Sequence, residues 1–387
     1  MTVSKPGRSD RHQPTTSTPV RTWPRQDHPS APGPAAPPAL VPALVPASGS
    51  VPDGGGAGGA PAVRPYPDGW FAVASSAELR PGRVVSRRLA GEDVVVYRTR
   101  QGRLRAVRPF CPHLGAHLGH GGRVAGEALV CPFHHFAFAP DGTCVRTGYG
   151  TPPPRARLGV RECREVAGLV FVWRHARNAP PSWEIEAPSA DGFGPPGCTV
   201  RTLVVHPQDF MENVIDVGHL EPVHQLAVEM VEAPRFDGPR MTTTYRLGRA
   251  AGKNNVLFNS APVTSATVQG LGIFLTDAFI GSLGMQVRTW FCVTPVGPTR
   301  VDLRLAVSVG FPRLRPRGAA RALAAVAPRP LAYLSSFETD RDVPIWANST
   351  YLDHPRLAQG DGPITKYRRW ARQFYSEGGG AEGEGEG

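Results

Sequence analysis

From Gly69 to about Trp173, apolar residues come in short β-branched or aromatic runs bounded by Gly, Pro and Asp: "WFAVA" at 70–74, "DVVVYRT" at 93–99, "RLRAVRPF" at 103–110, "EALVCPFH" at 127–134, "HFAFAPDGTCV" at 135–145 and "AGLVFVWR" at 167–174. Runs of this kind between turn residues predict strands, and so a small all-β domain. Pro-rich "NAPPSWEIEAP" at 178–188 predicts its exit. A second domain opens with the strand "CTVRTLVVH" at 198–206. The segment "PQDFMENVIDVGHLEPVH" at 207–224 then predicts helix, with a proline where a first turn tolerates it. More strands follow at "MTTTYRL", "NVLFNSAPV", "MQVRTWFCVTPV" and "RVDLRLAVSVGF", and 317–375 is helix-rich. The expected class is α+β, an all-β domain followed by an antiparallel sheet flanked by helices, without internal repeats.

The tails break this pattern. Residues 1–65 are rich in Pro, Ala, Gly and Ser with almost no bulky core formers, and 376–387 are Gly/Glu-rich, so both are expected to be disordered. The folded part divides into an expected metal-carrying domain at 66–185 and a catalytic domain at 186–375. The apolar run "ALVPALVPA" at 39–47 is interrupted by prolines, and no run of roughly eighteen apolar residues follows, so no membrane span is expected.

Six cysteines in 387 residues make no disulfide framework and point to a reducing cytoplasm. The formal charge of +11 comes almost wholly from arginine, with Lys5, Lys253 and Lys366 the only lysines. Without a basic stripe interleaved with aromatics, nucleic-acid binding is not expected. A basic docking face for an acidic electron carrier is the open reading of the charge, with "RLRPRGAARALAAVAPR" at 313–329 one candidate.

Candidate chemistry concentrates in "FCPHLGAHLGH" at 110–120 and "CPFHHFAF" at 131–138. Cys111 and His113 form Cys-x-His, Cys131 and His134 form Cys-x-x-His, and 17 residues separate the halves. Two Cys and two His suit either tetrahedral zinc or a Rieske 2Fe-2S cluster. Structural zinc sites usually pair like ligands and carry the second pair on a helix, whereas here each half supplies one of each and leads into β or glycine-rich sequence. The mixed pairing favours iron and sulfur. His135, next to His134 on an expected extended strand, faces the opposite side. His117 and His120 read as solvent-facing or backbone-bonded.

These residues resemble the Rieske non-haem iron oxygenases, whose motif is Cys-x-His, fifteen to seventeen residues, then Cys-x-x-His. The resemblance assigns Cys111, His113, Cys131 and His134 as cluster ligands and extends to Pro112 and Pro132. Many members have Gly-Trp after the last ligand, where this chain has His135-Phe136.

A second constellation, "ENVIDVGHLEPVH" at 212–224, contains Asp216, His219 and His224. On a regular helix five residues turn through about 500°, so the two imidazoles diverge by about 140°. Pro222 is the residue able to bend or end the helix between them, which makes sense if both reach one metal. Two histidines and a carboxylate form the facial triad of non-haem Fe(II) oxygenases. The acidic cluster "FETDRDVPIW" at 337–346 offers the carboxylate, with Asp342 favoured by the resemblance and Asp340 its rival. The resemblance gives Asp216 a further role, bridging a histidine of the iron to a histidine of a cluster in a neighbouring subunit. It thereby implies a homotrimer and an electron path through His134 and Asp216 to His219.

The ending "DVPIWANSTYLDHPRLAQGDGPITKYRRWARQFY" at 342–375 is similar to that of 3-ketosteroid 9α-hydroxylases and cholesterol 7-desaturases, including the turn Asp361-Gly362-Pro363-Ile364. The stretch 254–287, with Asp277 its only charge, reads as buried sheet or the wall of an apolar cavity. The expected activity is hydroxylation or desaturation of a bulky hydrophobic, steroid-like or polycyclic substrate by O2. Cofactors are a Rieske 2Fe-2S cluster and a mononuclear Fe(II). The resemblance implies electrons from a separate ferredoxin and/or flavin reductase, and no Gly-rich dinucleotide fingerprint is found in the sequence. Tailoring of a polyketide or terpenoid is the neighbouring reading, and a Rieske electron carrier without oxygenase activity the competing class.

Overall fold

The expected strand at 70–74 lies antiparallel to that at 167–174: Gly69–Ser75 pairs with Leu169–Arg174, which also pairs with Cys163–Val166. The computed structural model describes residues 64–249 and 261–376. Except for Arg64, Pro65 and Ser376, the two expected tails lie outside the described residues. So does most of "NVLFNSAPV", of which only 261–263 are described.

Residues 70–74 are buried without alternation because both faces of their sheet are covered. One face packs Phe71 and Val73 with Val94, Val96, Val170 and Val172 inside the all-β part. Trp70, Ala72, Phe171 and Trp173 instead share a core with Ile273, Leu275, Trp290 and Cys292 of the second part. Polar groups reinforce that seam: Thr294 Oγ1 and Arg304 Nη1 donate to the Ala72 carbonyl at 2.6 and 3.1 Å. The Pro-rich segment is no free exit, since Trp183 and Ile185 pack on the shared core and the Trp183 carbonyl accepts from Trp70 Nε1.

Two small sheets complete the all-β part. One comprises Val84–Leu89, Glu92–Arg98, Leu104–Val107 and Val160–Arg161. The other comprises Arg123–Ala125, Ala128–Val130, Ala137–Phe138 and Cys144–Arg146; the loop leading into it carries Cys111 and His113, and the turn between its second and third strands carries Cys131 and His134. The second part is one seven-stranded antiparallel sheet in the order Gly197–Val204, Arg300–Gly310, Met285–Gly297, Ile273–Ile280, Val263–Gln269, Arg240–Arg249, Leu226–Asp237. Leu226–Asp237 was not expected as a strand. Its half-buried Leu226, Val228 and Met230 do alternate with exposed residues, but Pro234 and the interleaved Glu229 and Glu232 mask the pattern. Val263–Gln269 and Ile273–Ile280 place most of 261–287 in this sheet, where Asp277 is neutralised across the strands by Arg288 Nε at 2.7 Å.

The expected helix at 207–224 is divided, and not where expected. Helix α1 (Pro207–Glu212) begins at His206, whose Nδ1 accepts from the Gln208 N–H. Burial pushes the His206 imidazole down to about 4, so it serves as a neutral cap. The chain leaves α1 at Asn213, makes a 3₁₀ turn at Val217–His219, and re-enters as α2 (Leu220–His224). Pro222 sits in the first turn of α2, where a missing N–H costs nothing, so it does not make the break. Gln225 ends α2 in a left-handed conformation immediately after His224.

The helix-rich end comprises α3 (Arg317–Val326), α4 (Pro328–Ser335), α5 (Val343–Ala347) and α6 (Ile364–Ala371). Its last described residues are fastened to the all-β part. The Asp68 N–H donates to the Phe374 carbonyl at 2.6 Å, and the Asp68 carboxylate accepts from Arg174, the Ala176 N–H and Ser376. His175 stands beside Ser376 but is no base for it. Its Nδ1 accepts from the Arg177 N–H, so the hydrogen is on Nε2.

Candidate metal centres

The two halves of the first motif meet at the end of the small sheet. Cys111 and Cys131 are almost fully buried and their thiols lie against each other; burial first, then this neighbour, pushes the Cys111 thiol up to about 11. The His113 and His134 rings approach edge to face with centroids 4.8 Å apart. Two tight turns set this arrangement: the Cys111 N–H donates to the Ala116 carbonyl and the Cys131 N–H to the Phe136 carbonyl.

A single zinc held by all four residues would bring their donor atoms within about 4 Å of one another. Among the described residues, the trio of metal-binding side chains whose donor atoms lie within 4.8 Å of one another is a different one: His219, His224 and Asp342. The Cys/His set is split, thiol beside thiol and imidazole beside imidazole, which suits a cluster with two cysteines on one iron and two histidines on the other.

His134 and His135 differ in orientation for a reason other than strand alternation. They sit in a turn, and His135 takes φ 55°. That is the left-handed conformation glycine adopts freely, which accounts physically for a glycine preference after the last ligand. Phe136 stacks on the His113 ring at 4.2 Å. His135→Gly is expected to stabilise the protein by about 0.5–1 kcal/mol, readable as a raised Tm with an unchanged cluster spectrum. His117 is backbone-bonded, its Nδ1 accepting from the Gly119 N–H and its Nε2 facing Asp93 at 3.1 Å, so neither nitrogen is free.

The divided helix builds the second centre. The His219 Nδ1–H donates to the Asp216 carbonyl, which leaves Nε2 as the free lone pair. The His219 and His224 ring centroids stand 5.3 Å apart, and His224 Nε2 lies 3.1 Å from Asp342 Oδ1. Asp342 is buried at the junction between the 3₁₀ turn Glu338–Arg341 and α5. Asp340 does not join the trio. Its side chain is 42% exposed and pairs with Arg201 at 2.5 Å. This is the donor set of a two-histidine, one-carboxylate iron site.

Asp216 stands beside the trio, with Oδ2 3.7 Å from His219 Nδ1. Burial, and then the nearby Asp361, raise its pKa against the lowering effect of His219. Sequence reasoning missed what holds this loop. The Tyr245 hydroxyl donates to the Val214 carbonyl, and Gly362, at φ 75°, lies where a Cβ would come within 2.2 Å of the Ile215 oxygen. Gly362→Ala combines a forbidden contact with a strained backbone. It is expected to cost about 2 kcal/mol and to lower iron retention at the trio, measured by thermal unfolding and metal analysis.

Asp216, His219 and Asp342 open into a cleft of about 430 Å³ whose other walls include Arg64, Asp209, Glu212 and Arg368. These charges are paired, Arg64 with Asp209, and Arg368 with Glu212 by two contacts of 2.7 Å. No described residue of 261–287 lines this cleft, and neither does His113 or His134.

Comparison with known proteins agrees with both centres. The Rieske [2Fe-2S] domain matches residues 69–156, and the 3-ketosteroid 9α-hydroxylase C-terminal domain matches 172–375. The chain belongs to this family of Rieske oxygenases. As such it is an oxidoreductase whose cofactors are a Rieske 2Fe-2S cluster and a non-haem iron. It is 31% identical to the cholesterol 7-desaturase nvd of Xenopus laevis, covering 80% of this chain and 72% of the relative. It is 29% identical to the probable 3-ketosteroid-9-alpha-monooxygenase, oxygenase component, of Rhodococcus rhodochrous, covering 80% of both. Among solved structures, NdmA of Pseudomonas putida CBB5 with caffeine superposes with a TM-score of 0.60 at 18% identity, covering 78% of this chain and 89% of that one. Dicamba monooxygenase bound to dicamba gives 0.57 at 18% identity, covering 81% and 98%. At these identities the structures bear on the fold alone. No helix among the described residues is long and apolar enough to cross a membrane.

Proposed function

We propose that this chain is the oxygenase component of a system that hydroxylates or desaturates a bulky hydrophobic, steroid-like substrate, with electrons from a separate ferredoxin or flavin reductase. The observation that carries the reading is the convergence of His219, His224 and Asp342 in a chain that also pairs Cys111 with Cys131 and His113 with His134. An electron carrier has no use for the trio. The names of the Xenopus and Rhodococcus relatives support the steroid class. All six cysteines are free, which fits a reducing cytoplasm.

In this reading residues 66–185 hold the cluster through Cys111, His113, Cys131 and His134, and 186–375 hold the iron through His219, His224 and Asp342. When bound, the cluster supplies electrons one at a time and the iron supplies O2 activation. The chain's own residues do the rest. The Asp216 carbonyl fixes the His219 tautomer, while the Tyr245 hydroxyl and the Gly362 turn hold the loop that carries both. The charged walls of the cleft at Asp216 suit a protein surface better than a sterol, and we assign the cleft to the cluster-bearing loops of a neighbouring copy in a homotrimer. The test is turnover with a surrogate reductase and labelled O2 across sterol, terpenoid and small aromatic panels. Label in a sterol product, or an O2-dependent sterol double bond, is expected. Activity confined to small aromatic acids contradicts the steroid reading.

A further inference from the structure

Helices α3 and α4 run on almost as one. Ala327 between them keeps right-handed helical angles, and its N–H and that of Leu331 bond four residues back, at 2.9 and 3.2 Å. Along this length Leu323, Val326, Pro330 and Leu334 fall at helical spacing on one stripe. A surface helix of a globular protein turns such a stripe inward. Here it faces out, with Leu323 44%, Val326 70% and Leu334 62% exposed, while α3 buries Ala324 and α4 buries Pro328 and Ala332. Tyr333 and Phe337, in edge-to-face contact at 4.9 Å, are exposed beside it.

The flanks are wholly basic. No acidic residue occurs from Leu303 to Phe337, whereas Arg313, Arg315, Arg317, Arg321 and Arg329 all do, every one exposed. None of the five forms an ion pair among the described residues, whereas Arg201, Arg240, Arg246, Arg288, Arg304 and Arg368 elsewhere in the second part do. Arg315, Arg317 and Arg321 gather at a cleft of about 530 Å³ floored by Phe193, Phe311 and Leu314.

An outward apolar stripe bordered by unneutralised arginines is the constitution of a helix that lies in a membrane interface. Its apolar side chains enter the acyl boundary and its guanidiniums reach back to phosphates. We propose that α3 and α4 dock this protein on the surface of an anionic phospholipid bilayer. A protein partner with an acidic face would satisfy the same arginines, and the experiment below separates it from a bilayer. The biological sense of the docking rests on the hydrophobic substrate proposed above, because such molecules partition into bilayers. Vesicle binding is measured without substrate, so each reading fails separately.

The experiment is cosedimentation of the metal-loaded full chain with phosphatidylcholine vesicles, with and without phosphatidylglycerol. Binding to the anionic vesicles that falls with salt is expected, as is a loss on the order of tenfold or more in Val326→Ser/Leu334→Ser and in Arg317→Gln/Arg321→Gln. The control pair Arg80→Gln/Arg83→Gln, exposed arginines of the all-β part, removes the same charge and is expected to bind as the parent does. Three results overturn the proposal. Folded parent protein binds no vesicle; all three double variants bind equally; or the α3 and α4 variants leave vesicle binding unchanged and alter instead the oligomeric state or the rate of cluster reduction by an acidic carrier, which would mean that a second copy or that carrier covers the face.

Discussion

Replacing Asp342 with alanine is expected to abolish turnover while leaving the cluster's spectrum intact, and replacing Asp340 with alanine is expected to do neither. Asp342 is buried with Oδ1 3.1 Å from His224 Nε2; its carboxylate is the one anion in the trio and, among the described residues, pairs with no arginine or lysine. Without it two imidazoles remain, a weak site for a divalent ion. Metal assistance is worth several kcal/mol, and about 4 kcal/mol is a thousandfold in rate, so a loss of at least that size is expected. Asp342→Asn keeps the shape and removes the charge, and should lose iron as the alanine variant does. The Asp340–Arg201 pair is partly exposed, and its removal is expected to cost less than about 1 kcal/mol of stability. Metal analysis decides between the two residues: iron retained in Asp342→Ala and lost in Asp340→Ala would reverse the assignment.

Asp216→Ala is expected to keep both metals and still lose at least about a hundredfold in turnover. The reason lies in which atom of residue 216 does which task. The backbone carbonyl, which the substitution leaves in place, orients His219 and so preserves the iron site. The carboxylate faces the cleft beside that imidazole, where a neighbouring copy's cluster would approach. Stopped-flow reduction separates the outcomes. The cluster should accept an electron at the parental rate, whereas its reoxidation in the presence of substrate and O2 should slow. Parental turnover in Asp216→Ala would remove the bridging role.

Much of this site could be read from residue order because metal donors advertise themselves by type and spacing. The mixed Cys/His halves pointed to iron and sulfur, and the paired thiols and paired imidazoles are the three-dimensional form of that pattern. The diverging azimuths of His219 and His224 called for a break between them, but α2 runs unbroken from Leu220 to His224 and the interruption lies before it. What sequence could not give was the means: the interruption is an exit at Asn213 and a 3₁₀ turn, set by contacts from Tyr245 and Gly362 far along the chain. Strand Leu226–Asp237 was hidden for a related reason, since its alternation acquires meaning only beside Arg240–Arg249. The seam between the two parts was equally invisible, because Trp70 and Trp290 are unremarkable strand residues until they share a core.

Iron and acid-labile sulfide counted in the purified, fully loaded protein test the two-centre reading most directly. About three irons per two sulfides is expected, with two of the irons in the cluster and one at His219, His224 and Asp342. About two irons per two sulfides in protein of full cluster content, or zinc in place of iron at the Cys/His motif, would contradict it.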